Sequence, residues 1–219
     1  VYPFLLRKSD LVLVQHEGQK EILSGKNIKS QVFPNLIEFT DEVVINCSDT
    51  TDYVYVGALD KRKGFDILFN LIKRTPDQSY KIIGEPRDKT AFYLYDKLKS
   101  FSNVKLLGKL PHSDTYKQIA SSKALISTSP REGFPNIFLE AWSVGIPVLS
   151  LYVDPGNVIK KMNLGIVANG NMEIIIKFME GPGVTREFCE RAKEYVEKNH
   201  LLNERKVKEI SNLFVNLIG

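Results

Sequence analysis

Two glutamates, Glu132 and Glu140, stand with seven residues between them in the stretch Ser129-Pro130-Arg131-Glu132-Gly133-Phe134-Pro135-Asn136-Ile137-Phe138-Leu139-Glu140-Ala141. The stretch follows a short apolar run, Ala124-Leu125-Ile126-Ser127, and opens an amphipathic segment, so it reads as strand, loop and helix. Glu132 then precedes the helix and Glu140 sits about one turn inside it. Both carboxylates can face one crevice from different heights. A carboxylate one turn in can accept hydrogen bonds from two vicinal hydroxyls, as a ribose presents, and one in the loop can reach a sugar. Backbone N–H groups between Phe134 and Ile137 point outward with the helix dipole and form an anion site. An acidic first turn is also common for dipole reasons alone. Gly133, Pro135 and the preceding strand favour the site over that plainer explanation.

A second candidate is Gly57-Ala58-Leu59-Asp60-Lys61-Arg62-Lys63-Gly64. Lys63, at a strand-to-helix loop, can set a cation near a diphosphate; alone it reads equally as a solvated lysine. Tyr152-Val153-Asp154-Pro155-Gly156-Asn157 is a turn into a helix, either closing over a ligand or serving as a connector. Of the histidines, His112 follows Pro111 in a loop that can touch a nucleotide, and His200 is expected to be exposed after a helix end. Trp142 reads as core.

The elements that must carry these residues repeat one pattern: an apolar run, a Gly or polar loop, an amphipathic stretch. Strands are expected near Tyr53, Tyr80, Val104, Ala124, Val148 and Ile166, with helices over Phe65–Ile72, Asp88–Lys99, Ser113–Ser121 and Asn136–Val144. The last third is helical: Met172–Met179, Thr185–Asn199 and Asn203–Ile218. Upstream, Leu11–Val14 and Gln31–Phe33 read as strands around a helix over Glu17–Ser24, and Val43-Val44-Ile45 as a further short strand. Strands apolar on both faces and separated by helices make a doubly wound parallel α/β sheet, Rossmann-like in form. Ligands bind such sheets beyond the carboxyl ends of the strands. The loops to inspect start at Gly57, Gly84, Gly108, Thr128 and Tyr152.

Composition removes other classes. The chain has 219 residues, 43% of them hydrophobic, and a net charge of +4, enough for one sizeable core. Its basic residues are scattered rather than gathered in a stripe with aromatics, which argues against a nucleic-acid partner. Cys47 and Cys189 lie far apart with no metal-ligand spacing, so no metal and no disulfide framework are expected. No apolar run approaches the ~20 residues of a membrane span. The opening residues lack the form of a signal peptide, and the absence of an initial Met suggests a fragment. Gly-x-Gly-x-x-Gly follows none of the strands, which argues against a dehydrogenase.

The run Glu132-Gly133-Phe134-Pro135-Asn136-Ile137-Phe138-Leu139-Glu140-Ala141-Trp142, continuing to Gly145, Pro147 and Val148, resembles the signature of glycosyltransferase family four. Those are retaining enzymes of the GT-B fold, in which two Rossmann-like domains face a cleft. The resemblance extends from about Ser9 to Lys198. It implies that the chain is the C-terminal, donor-binding domain over residues 39–219, with residues 1–38 a remnant of the first domain and its linker. Ser9–Ser24 is expected to be loosely attached or to pack on the last helix.

The same resemblance implies site residues. Glu140 would bind the donor ribose, and Glu132 would lie beside the transferred sugar. Gly133, Phe134, Pro135, Asn136 and Ile137 would hold sugar and diphosphate through backbone. Gly57, Gly84 and Arg62 would complete the donor pocket, Lys63 would neutralise the diphosphate, and Lys109 and Leu110 would pack on the base. The family usually carries Arg where this chain has Ala58. The implied function is metal-independent, retaining transfer of a hexosyl unit from a nucleoside-diphosphate sugar, with no cofactor, to a glycan or lipid-linked acceptor. Polysaccharide biosynthesis is the implied setting, in the cytoplasm, with peripheral contact at the inner face of the membrane through the missing domain. Two alternatives stand beside it: a nucleotide-sugar 2-epimerase of the same fold, and a non-catalytic nucleotide-sugar-binding domain.

Overall fold

A computed structural model of the chain describes residues 3–38, 52–181 and 185–218. The expected strand at Val43-Val44-Ile45 lies outside the described residues. The first part is a short helix α1 (Pro3–Leu6), strand β1 (Val12–Val14), helix α2 (Glu17–Ser24) and strand β2 (Ser30–Val32). β1 and β2 pair in parallel, Val14 opposite Val32, with α2 as their crossover.

Six strands follow: β3 (Asp52–Val56), β4 (Ser79–Ile83), β5 (Val104–Gly108), β6 (Ala124–Ser127), β7 (Val148–Ser150) and β8 (Gly165–Val167). They alternate with α3 (Phe65–Arg74), α4 (Lys89–Leu98), α5 (His112–Ala120), α6 (Asn136–Ser143) and α7 (Val158–Lys161), and three helices close the chain: α8 (Met172–Met179), α9 (Arg186–His200) and α10 (Glu204–Ile218). All six strands are parallel, in the spatial order β5-β4-β3-β6-β7-β8. The expected fold class is the observed one: a doubly wound, Rossmann-like sheet.

Strand alternation explains the burial on both faces. In β3, Val54 faces one apolar cluster, shared with Phe138 and Trp142 of α6 and Val196 of α9. Tyr53 and Tyr55 face the other, shared with Phe65 and Leu68 of α3 and Ile175 of α8. A period of two in a strand thus feeds two helix layers at once. The helices begin where side chains satisfy their first amides: Asp88 accepts from Ala91 N at 2.8 Å, and Thr185 from Phe188 N at 3.3 Å.

The strand order reverses between β3 and β6, so their carboxyl ends diverge and leave a crevice. The two stretches singled out for chemistry, 57–64 and 128–140, leave from these two strand ends. The N-terminal unit, expected to be loose or packed on the last helix, lies beside that helix. A groove of about 480 Å³ separates β1 and β2 from α10, lined among others by Leu11, Val32, Lys206 and Leu213. The hydrogen bonds of this unit run to the loop after β6 and to the end of α9, where Ile37 N donates to His200 O at 2.9 Å.

Candidate functional site

Beyond β3 the chain turns at Gly57 and enters a 3-10 turn over Lys61–Lys63. Asp60 Oδ1 accepts from Lys63 N at 2.8 Å and caps that turn. Gly64 ends it in the left-handed region, φ 70°, where a Cβ would lie 2.3 Å from the Thr128 carbonyl oxygen. Only glycine fits that approach. Thr128 Oγ1 in turn donates to Lys63 O at 3.1 Å. These contacts stitch the loop after β3 to the loop after β6, and they aim Lys63 across the crevice. Lys63 Nζ meets Glu132 Oε1 at 2.5 Å, with 28% and 21% of the two side chains exposed.

Beneath the pair lies a cavity of about 40 Å³, lined by Tyr55, Lys63, Ser129, Glu132 and Pro135 among others. Burial, then the Asp60 and Glu132 carboxylates, push the Tyr55 hydroxyl far above its ordinary range. It stays protonated and donates to Ala58 O at 3.2 Å.

Pro135 leads into α6, which buries Phe138, Leu139, Ala141 and Trp142 and turns Glu140 outward. The Glu140 side chain is 15% exposed, and Oε1 lies 3.4 Å from Nε2 of His112 at the start of α5. A carboxylate, an imidazole and the amino end of a helix therefore share this part of the cleft.

The loop between Glu132 and α6 is held from the N-terminal side. Gln15 Oε1 accepts from Phe134 N at 2.8 Å. Asn35 Nδ2 donates to Phe134 O at 3.0 Å and to Asn136 Oδ1 at 2.6 Å, and Gln15 Nε2 donates to Asn35 Oδ1 at 2.9 Å. The Phe134 ring is buried against His200 and Trp142, at centroid distances of 5.1 and 6.4 Å. This corrects two sequence expectations. The Phe134 amide is already occupied rather than open to an anion. His200 is 3% exposed, not solvated: it closes α9 inside the core. Its Nδ1–H donates to Asn35 O at 2.8 Å, so Nε2 accepts from the Tyr195 hydroxyl at 2.9 Å. Burial holds this imidazole below its ordinary pKa, outweighing the Asn35 carbonyl, which favours the charged form.

Comparison with known proteins gives the family. The family profile described as glycosyl transferases group 1 matches residues 40–199. The chain belongs to that family. It is 26% identical over 170 residues to an uncharacterized glycosyltransferase of Methanocaldococcus jannaschii, covering 68% of this chain and 41% of that protein. It is 28% identical over 156 residues to one of the subunits of the human phosphatidylinositol N-acetylglucosaminyltransferase, covering 68% of this chain and 32% of that protein. The chain thus spans less than half the length of either relative. Among solved structures, an S. aureus TarM mutant in complex with fondaparinux, alpha-GlcNAc-glycerol and UDP superposes with a TM-score of 0.76. The identity there is 19%, over 95% of this chain and 44% of that one. That likeness bears on the fold alone, a Rossmann-like α/β domain.

Within this group 1 glycosyltransferase chain, the structure gathers Lys63, Glu132, Gly133, Asn136 and Ile137 at the crevice, and Glu140 one turn deeper. Gly57 and Gly84 stand side by side at the strand ends, where Gly57 N donates to Ile83 O at 3.0 Å and Gly84 N to Gly108 O at 2.8 Å. Lys109 is exposed, and Leu110 is half-buried against the core. Arg62 turns away: its side chain is 73% exposed and pairs with Asp60 at 3.6 Å. Sequence reasoning passes over Gln15 and Asn35. A signal exists for Gln15, which begins the loop at the carboxyl end of a strand.

Proposed function

We propose that this chain is the donor-binding half of a retaining glycosyltransferase of family four. It holds a nucleoside-diphosphate sugar so that a hexosyl unit passes to an acceptor hydroxyl, glycan or lipid-linked. The observation that carries this reading is the meeting of Lys63 and Glu132 across the switch point, with Glu140 one turn into α6. Three functions need three positions: a ribose acceptor, a cation for the diphosphate and a carboxylate beside the sugar. The loops after β3 and β6 and the first turns of α6 offer one of each.

In this reading Glu140 accepts from the two ribose hydroxyls, with His112 beside it. The diphosphate draws Lys63 from Glu132, and the ammonium then stabilises negative charge as it grows on the leaving diphosphate. The amino end of α6 adds its dipole to the same charge. Glu132, released from Lys63, turns to the sugar hydroxyls, and the acceptor attacks from the face the diphosphate leaves. Residues 1–38 are the end of a preceding domain and its linker, and residues 39–219 are the donor domain. The setting proposed is cytoplasmic, with contact at the inner membrane face through the other domain. Among the described residues, no helix is long and apolar enough to cross a membrane.

Ala58 favours a second reading, a donor-binding domain without transfer, because a cation usual in the family is absent. One assay separates the two. The chain and the full-length protein are incubated with labelled nucleotide sugars and a crude acceptor fraction. Donor binding by both and transfer by the longer protein alone support the first reading. Binding without transfer by either supports the second. Equal turnover by both would show the chain to be a complete enzyme.

A further inference from the structure

The turn from β1 into α2 has no part in the chemistry above, yet it touches the loop that carries Glu132. Gln15 N donates to Gln19 Oε1 at 2.8 Å, which fixes the start of the turn. The Gln15 side chain then bridges Phe134 N and Asn35 Oδ1, and Asn35 bridges Phe134 O and Asn136 Oδ1. Two side chains from the N-terminal unit therefore satisfy both backbone polar groups of a single residue in the β6–α6 loop. The approach is close: a Cβ on Gly133 would lie 2.3 Å from Gln15 Oε1. A closed polar network of this kind rigidifies what it holds, and loss of one member strands a polar group in a half-buried place.

Position gives the network its consequence. Phe134 follows Glu132 by two residues and precedes the first residue of α6 by two. Lys63 grips the loop on one side and the Gln15–Asn35 pair grips it on the other. We propose that Gln15 and Asn35 are positioning residues for the donor loop. Clamped on Phe134 and Asn136, they set where Glu132 stands toward the transferred sugar, and so tie donor geometry to the placement of the N-terminal unit. The inference rests on the donor-site reading given above. The clamp governs the sugar end of the site, while Glu140 grips the nucleotide one turn deeper. A sugar-bearing donor feels its loss and a bare nucleotide does not.

The test uses the full chain and three variants, Gln15→Met, Gln15→Glu and Asn35→Ala. Amide hydrogen exchange at Phe134, the melting midpoint and calorimetric affinity are measured. The probes are UDP with UDP-glucose, GDP with GDP-mannose and ADP with ADP-glucose. In Gln15→Met, exchange at Phe134 quickens roughly 10-fold as its acceptor is lost. The melting midpoint falls modestly for the stranded Phe134 amide, the bare-nucleotide affinity stays at the wild-type value, and affinity for the sugar-bearing partner falls severalfold. Asn35→Ala weakens the sugar-bearing donor in the same way. Gln15→Glu keeps an acceptor for the Phe134 amide but loses the donor to Asn35 Oδ1, so it restores slow exchange only in part. Unchanged exchange in Gln15→Met overturns the clamp itself. Faster exchange with sugar-donor affinity intact, or equal losses for nucleotide and sugar nucleotide in step with a lower melting midpoint, overturns the positioning role. A wild-type chain that binds none of the probes overturns the donor reading instead, and exchange at Phe134 still judges the clamp.

Discussion

The six-stranded sheet and the two-stranded unit before it are built from the same βαβ grammar, yet they solve the burial problem differently. β3, β4, β6 and β7 are almost wholly buried, each feeding apolar side chains into helices on both faces. β1 and β2 bury only Val14 between them, and Leu13 is 45% exposed. A parallel pair with one helix has too little apolar surface to close on. Its attachment to the β6–α6 loop is accordingly polar, through Gln15 and Asn35, with His16 packed against Gly156. One region is held by its core; the other is held largely by hydrogen bonds, some to the β6–α6 loop and some to the end of α9.

The comparison breaks most readily in the core. Trp142 is fully buried, with its ring edge-on to Phe138 and Tyr195, and its indole N–H donates to Leu164 O at 2.9 Å. Trp142→Ala is expected to cost about 3–5 kcal/mol in denaturant unfolding, and Leu13→Ala within about 0.5 kcal/mol. Similar costs for the two would mean that the N-terminal unit is part of the same core.

Next in size is the cation at the crevice. With Ala58 leaving no arginine there, Lys63→Ala is expected to erase most of the preference for a nucleoside diphosphate over the nucleoside, roughly 10-fold or more for a charged hydrogen bond. Ala58→Arg is expected to tighten diphosphate binding. Calorimetry that finds both variants unchanged would put the phosphates elsewhere.

The smallest effect is a pH dependence at the junction of the two regions. Burial holds His200 below its ordinary value of 6.5, so the unfolded chain binds its proton first as the pH falls. Stability from this group is complete above about pH 6.5 and declines below it, toward the lowered folded value. His16 is depressed by burial as well and adds in the same direction. A His200→Gln variant should flatten the midpoint-against-pH curve below pH 6.5 relative to wild type; an unaltered slope would assign the dependence to other groups.

What is legible in the sequence follows the range of the forces involved. Strand and helix identity rests on local periodicity, and the six main strands and α2 to α6 stand where periodicity puts them. General rules for parallel sheets point to the loops at the carboxyl ends of the strands, whereas the reversal between β3 and β6, which brings 57–64 beside 128–140, is seen in the strand order of the fold. His200 departs from its expected exposure because its partners, Asn35 and Tyr195, are supplied by the fold; a histidine after a helix looks solvated until the chain 165 residues upstream returns to it. The same holds for Gln15, whose partner Phe134 is 119 residues away. The contact of His112 with Glu140 likewise emerges only once α5 and α6 pack side by side. Polar contacts of long sequence separation have no period to betray them.

The central claim is that Glu140 and Glu132 divide the donor between nucleotide and sugar, and calorimetry on the two alanine variants tests it most directly. With the nucleoside diphosphate that the wild-type chain binds and with its sugar-bearing form, Glu140→Ala should weaken both by roughly 10-fold or more. Glu132→Ala should spare the bare nucleotide and weaken only the sugar-bearing donor. Equal losses for both ligands in both variants would contradict the account.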